Sequence, residues 1–112
     1  MSNLTTHVLD TSLGLPVVGL PVSLSVRRAG SLEELGRAVT DADGRVRAFL
    51  PPLQLQAGTY QLTFETAAHF RSAGREAFFE RVTLEFHVAD PGQHYHVPLL
   101  LTPFGYSTYR GS

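Results

Sequence analysis

Residues 81–88 read Arg-Val-Thr-Leu-Glu-Phe-His-Val. In an extended chain Val82, Leu84, Phe86 and Val88 point to one side, and Thr83, Glu85 and His87 to the other. That is the pattern of a strand with one face buried and one in water. The same period of two governs residues 21–27, where Val22, Leu24 and Val26 alternate with Ser23, Ser25 and Arg27. It governs residues 59–66 as well, where Tyr60, Leu62 and Phe64 alternate with Gln61, Thr63 and Glu65. Residues 4–9 and 45–50 are shorter candidates. Turn formers separate these runs: Gly14 with Pro16, Asp41-Ala42-Asp43-Gly44, Pro51-Pro52, Ala57-Gly58, Asp90-Pro91-Gly92 and Pro103 through Gly105. Short strands between frequent turns predict an all-β sandwich. One segment departs from the period. Residues 66–76 carry Ala67, Ala68, Phe70 and Ala73 at helical spacing with Gly74 near the end, which predicts one short α-helix. Residues 31–35 fit either a further turn of helix or a loop running into a strand. No repeat with a period of roughly 20–50 residues is present.

A chain of 112 residues predicts one domain spanning residues 1–112. Hydrophobic residues at 43% and charged residues at 17% place it among globular proteins rather than disordered ones. A net charge of −1 gives no reason to expect nucleic acid or an anionic membrane as a partner. The absence of cysteine excludes a disulfide framework and thiolate metal sites without fixing the compartment. The opening Met-Ser-Asn-Leu-Thr-Thr-His has no basic region followed by an apolar one, and no run of about 18 apolar residues occurs. The closing Arg-Gly-Ser is no peroxisomal address. These features lead us to expect a soluble, cytoplasmic protein with no membrane partner.

Residues 94–112 hold two histidines one residue apart, a strand-like run and the apolar residues Tyr95, Val97, Leu99, Leu101, Phe104, Tyr106 and Tyr109. Terminal segments seldom carry so much apolar surface unless they are tied down, so this one is expected to dock. Alternation assigns Tyr95, Val97, Leu99 and Leu101 to one face and His94, His96, Pro98 and Leu100 to the other. Likewise Val8 opposes His7 and Leu9, and Val46 opposes Arg45 and Arg47. His7, Arg45 and His96 can therefore all stand on outward faces of strands. Leu9, Pro98 and Leu100 share that face, and an apolar strip of this kind calls for a second subunit to cover it. Polar groups roofed by a partner lie in a partly dry pocket, where histidine pKa values shift and arginine interactions strengthen.

Taken singly, each residue has an ordinary explanation. His7 reads as a surface residue and Arg45 as a solvated turn residue. His69 and His87 read as structural or solvated. His94 and His96 read as surface groups, as a metal pair or as catalysts. Without cysteine, and without a carboxylate at suitable spacing, a zinc site is not expected.

The motifs together are more specific. Leu4-Thr5-Thr6-His7-Val8-Leu9-Asp10 with Gly14-Leu15-Pro16, then Thr40-Asp41-Ala42-Asp43-Gly44-Arg45, then His94-Tyr95-His96-Val97-Pro98-Leu99-Leu100-Leu101, and last Pro103 through Ser112 resemble the motifs of the 5-hydroxyisourate hydrolases. These are the transthyretin-like enzymes of purine catabolism. The resemblance runs from Leu4 to Ser112 in consistent order. It implies a transthyretin-like β-sandwich of two four-stranded sheets with one short α-helix. It implies a homotetramer built as a dimer of dimers, with sites at the inter-dimer interface, a small-molecule substrate and no metal or organic cofactor. The implied reaction opens 5-hydroxyisourate to 2-oxo-4-hydroxy-4-carboxy-5-ureidoimidazoline in urate degradation.

The scissile bond in that reaction is amide-like, so water must attack a carbonyl carbon and an oxyanion must be stabilised. A neutral imidazole can take the proton from water, and a guanidinium offers a planar fork of donors to the developing charge. On the resemblance, His7 and His96 activate water and relay protons, and Arg45 holds substrate and stabilises charge. Tyr109 positions the heterocycle, while Ser112 supports the histidines by its hydroxyl or a terminal carboxylate. Which histidine is the base stays open. The rival readings are a non-catalytic transthyretin-like module binding a small molecule, an accessory sandwich domain of a larger chain, and a metal site on His94 and His96.

Overall fold

The computed structural model describes residues 3–112. The chain folds into strands β1 (Leu4–Asp10), β2 (Leu15–Pro16), β3 (Pro21–Arg28), β4 (Ser31–Val39), β5 (Arg45–Val46) and β6 (Gly58–Phe64). Helix α1 (Thr66–Ser72) follows, then β7 (Val82–Val88), β8 (Tyr95–Thr102) and β9 (Gly105–Thr108). One sheet runs β4-β3-β6-β7, all antiparallel. The other runs β2-β1-β8-β9, with β5 also on β1. The expected four strands are met in the first of these. The other reaches five because two-residue β2 and β5 share one edge of β1, opposite Leu9–Asp10 and Thr6–His7 respectively.

Period two explains the packing. Val22, Leu24, Val26, Tyr60, Leu62, Phe64, Val82 and Val88 of one sheet, and Leu4, Val8, Tyr95, Leu99 and Leu101 of the other, form a single buried core. Phe70 of α1 and Phe49 of the β5–β6 connection plug it. The helix is shorter than the 66–76 span expected. It stops where Gly74 takes φ +72°, and Ala73 and Gly74 close its end with hydrogen bonds to Phe70 and Arg71 carbonyls.

Residues 31–35, expected as a turn of helix or as a loop with the end of a strand, are strand throughout. The two-residue turn Ala29-Gly30 has positive φ at both positions, the geometry that sends a chain straight back along its own strand. The pairing slips by one residue at Leu35, opposite Leu24/Ser25, which interrupts the alternation of β4 and hides it from a period count. The strand expected at 45–50 is only Arg45–Val46. Past Val46 the chain leaves its sheet, buries Phe49 and bridges Leu50 to Arg37 of β4 in the opposite sheet.

The tail docks: Tyr95, Leu99 and Leu101 are buried in the core, and hydrogen bonds hold the part beyond them. β9 pairs antiparallel with β8, the Thr108 hydroxyl donates to the Pro98 carbonyl (2.7 Å), and the Gly111 amide donates to the His96 carbonyl (2.8 Å). Phe104, Tyr106 and Tyr109, expected to anchor it, are exposed in the single chain.

Candidate active site

Three neighbouring strands present the polar groups. β8 lies parallel to β1, with Thr5 opposite His96 and His7 opposite Pro98, and β5 sets Arg45 opposite His7. Leu4, Thr6, Val8 and Asp10 of β1 point inward and are buried, so Thr5, His7 and Leu9 point outward. Arg45 sits where it does because of the Asp41–Gly44 turn. Asp41 accepts hydrogen bonds from the backbone amides of Asp43 and Arg45, and Gly44 takes φ +75°. A Cβ on Gly44 would lie 2.5 Å from the Val8 carbonyl oxygen, so only glycine lets the turn press against β1 there.

The result is a concavity of about 410 Å³ lined by Thr5, Thr6, Arg45, Val46, Arg47, His94, His96 and Ser112. Arg45, His96 and Ser112, expected from sequence, thus meet, with His7 beside Arg45 on β1. Tyr109 does not join them in the single chain. It lines a separate cleft with Leu84, Phe86, His87, Tyr95 and Arg110.

The hydrogen bonds restrict the protonation states. His7 Nε2 is 2.9 Å from the Asp43 carbonyl oxygen. A carbonyl can only accept, so Nε2 carries the proton and a neutral His7 has its lone pair on Nδ1. His96 Nδ1 is 2.8 Å from the Thr5 hydroxyl, and no described protein group holds its Nε2. Burial, then the charge of Arg45 and that of His7 and His94 whenever they are protonated, push the His96 imidazole below its usual value of 6.5, against a smaller opposing effect from the Thr5 backbone. His96 is therefore kept neutral near pH 7.

Arg45 stands apart from the other cations. All nine basic residues are arginines. Arg27, Arg28, Arg37, Arg47, Arg71, Arg75 and Arg81 pair with carboxylates, and Arg110 stacks on Tyr95 and bonds Gln93. Among the described residues only the Arg45 guanidinium has no hydrogen bond, ion pair or ring contact. No group of three or more histidine, cysteine or acidic residues that could hold a metal occurs among them either.

Two contributors escaped the sequence reading. Thr5 stands in the opening motif with no role of its own there, although the period of two puts it on the His7 face. Gly111 stands in the sequence only as part of a terminal motif. A Cβ there would meet His96 Cδ2 at 2.6 Å and Pro98 Cγ at 3.3 Å, so the bare backbone of the tail is what lies against the imidazole.

A β-sandwich with an unpaired guanidinium beside a neutral imidazole has the groups that hydrolysis of a carbonyl compound uses. The family model of the HIUase/Transthyretin family matches residues 4–111, and the chain belongs to that family. It is 51% identical to 5-hydroxyisourate hydrolase 2 of Rhizobium meliloti, over 97% of this chain and 95% of the relative. Among solved structures it is similar to 5-hydroxyisourate hydrolase of Klebsiella pneumoniae, with TM-score 0.85 and 47% identity over 97% of this chain and 98% of that one. It is also similar to sea bream transthyretin in complex with thyroxine, with TM-score 0.89 and 31% identity over 97% and 94% of the two chains.

Proposed function

We propose that this chain is a hydrolase that opens the six-membered ring of 5-hydroxyisourate to 2-oxo-4-hydroxy-4-carboxy-5-ureidoimidazoline in urate degradation. The hydrolase relatives match it along nearly their whole length. The observation that carries the reading is the unpaired Arg45 guanidinium facing the same concavity as the neutral His96. A small-molecule carrier has no need to hold an unpaired guanidinium beside a neutral imidazole.

In this mechanism Arg45 holds a carbonyl oxygen of the substrate. His96 Nε2 takes a proton from water as the water oxygen bonds to the carbonyl carbon. Arg45 then faces the oxyanion, where a fixed donor lowers the barrier most. The carbon–nitrogen bond breaks and the proton passes to the departing ring nitrogen. His7 binds substrate and relays protons through Nδ1, and Ser112 supports the histidines. In one chain Tyr109 lies in the other cleft, so its role in positioning the heterocycle requires a second subunit.

The proposed assembly is a homotetramer, a dimer of dimers, with sites at the inter-dimer interface. It is supported by the unpaired outer edges of β7 and β9 and by the exposed Phe78, Phe79, Phe104 and Tyr106 beside them. We assign the chain one domain over residues 1–112, no cofactor and a cytoplasmic place. No helix among the described residues is long and apolar enough to cross a membrane.

The test is the decay of 5-hydroxyisourate absorbance on adding the protein. Faster decay is expected. It should be lost in His7→Ala, Arg45→Ala and His96→Ala, and in a truncation lacking the last four residues. No acceleration by the parent would leave the carrier reading, and near-parent rates in all four variants would overturn the assigned roles. Sedimentation velocity tests the tetramer.

A further inference from the structure

His96 can act as the base only in one of its two neutral forms. Nε2 must carry the lone pair, so Nδ1 must carry the proton. The partner of Nδ1 is the Thr5 hydroxyl, which can donate or accept and so does not by itself select either form. If it donated to Nδ1, the neutral ring would carry its proton on Nε2 and have nothing with which to take one from water. The hydroxyl has a single proton, however, and a second imidazole next to it. His94 Nε2 is 3.1 Å from the same Thr5 oxygen.

We infer that His94 and Thr5 are positioning residues that set the tautomer of His96. His94, neutral with its proton on Nδ1, presents a bare Nε2 that accepts the Thr5 proton. The Thr5 oxygen is then left to accept from His96 Nδ1–H, and His96 Nε2 is the free lone pair. The chain of donors runs in one direction: His96 Nδ1–H to Thr5 O, Thr5 O–H to His94 Nε2. Reversing it requires His94 to donate from Nε2, which leaves neutral His96 with its proton on Nε2 and no lone pair there for water. The backbone makes the arrangement rigid. Thr5 and His96 are direct partners in the parallel pairing of β1 and β8, and His94 stands two residues before His96. A β-branched side chain on a strand has little χ1 freedom. Gly111 closes the opposite side of the ring. The three groups thus meet across about ninety residues of sequence by strand register alone.

This inference rests on the hydrolase reading for its kinetic consequence but not for its spectroscopic one. ¹⁵N NMR of the imidazole nitrogens, with His96 assigned from a His96→Gln spectrum, reports the tautomer without substrate. In the parent above pH 7 we expect His96 protonated on Nδ1. In Thr5→Val, nearly the same shape without the hydroxyl, and in His94→Leu, the Nδ1–H form should fall to a mixture with the Nε2–H form. Thr5→Ser should restore it. In turnover of 5-hydroxyisourate, kcat should fall about tenfold or more in Thr5→Val and His94→Leu. That is less than the roughly 10² to 10⁴ expected for losing the base itself. KM should stay near that of the parent, and Thr5→Ser should recover most of the rate. A parent His96 carrying its proton on Nε2, or a Thr5→Val variant with the parent kcat and tautomer, would overturn the inference. A parent that turns nothing over, yet shows the expected tautomers, would instead remove the hydrolase reading and leave the hydrogen-bond chain standing.

Discussion

The two sheets turn outward faces to the surroundings, and those faces treat charge in opposite ways. On the β4-β3-β6-β7 sheet, Arg27 and Gln61 both donate to Glu85 (2.9 Å each), Arg81 meets Glu65, and Thr63 meets Thr83. Charge there is cancelled within the face. On the β5-β1-β8 face, Arg45, His7, His94 and His96 gather, and no carboxylate among the described residues pairs with any of their side chains. Water is a sufficient partner for the first face. In the proposed function the second meets a substrate that arrives with oxygen acceptors. Both faces come from the same alternating pattern, so hydropathy does not separate them, whereas neutralisation does.

The comparison can be broken experimentally. The largest effect expected concerns an ion pair that belongs to neither face. Asp10 is 2% exposed and accepts from Arg75 (2.7 Å), from the Ser12 amide and hydroxyl, and from the Leu13 amide. Asp10→Ala should cost about 3–5 kcal/mol, because it strands a partly buried arginine and two amides. Urea unfolding measures this, and Glu85→Ala on the outer face should barely move the midpoint. Burial alone would raise the Asp10 pKa. The hydrogen bonds from Ser12, Arg75 and Leu13 outweigh it and hold the carboxyl below its usual 3.8. A depressed folded pKa means that the stabilisation is fully present above 3.8 and is lost as pH falls through the lower folded value.

Next in size, Arg45→Ala should lower kcat about 10²- to 10³-fold, the usual cost of one oxyanion donor. Gly111→Ala should follow, with a loss of up to about 10²-fold from displacing the His96 ring, as misplacement of this order commonly costs. Its melting temperature would separate misplacement from unfolding. A smaller effect lies in the pH profile. Because burial and nearby positive charge lower the His96 pKa, the acid limb of kcat/KM should fall below pH 6.5. In Arg45→Gln the residual activity should show that limb shifted upward, since one repelling charge is gone. Smallest of all, Arg27→Ala removes the same charge as Arg45→Ala but should leave turnover unchanged. An equal loss in both would erase the distinction between the faces.

Much of this could be read in the sequence, because strand period is a local property. The alternation of residues 81–88 yields β7, and that of 4–9 puts His7 outside and Val8 inside. Arg45 outside and Val46 inside follow from the same count. Register is not local. Nothing in residues 4–10 or 95–102 states that β1 and β8 run parallel with Thr5 opposite His96, and so Thr5 received no role. The β4 strand was obscured by its own bulge at Leu35, and the crossing from Val46 to Leu50 by a switch of sheets that hydropathy does not record. Tyr109 could be placed on the tail, but the single chain turns it to the other cleft.

The parallel pairing of β1 and β8 has a consequence for biogenesis. On the ribosome, Thr5 and His7 emerge about ninety residues ahead of His94 and His96, with Gly111 later still. A nascent chain therefore has no pocket until β8 and Gly111 have followed β1 out of the ribosome. Closing such a distant pairing is also slow on the folding timescale, so appearance of turnover in a cell-free translation would time the completion of the sandwich itself.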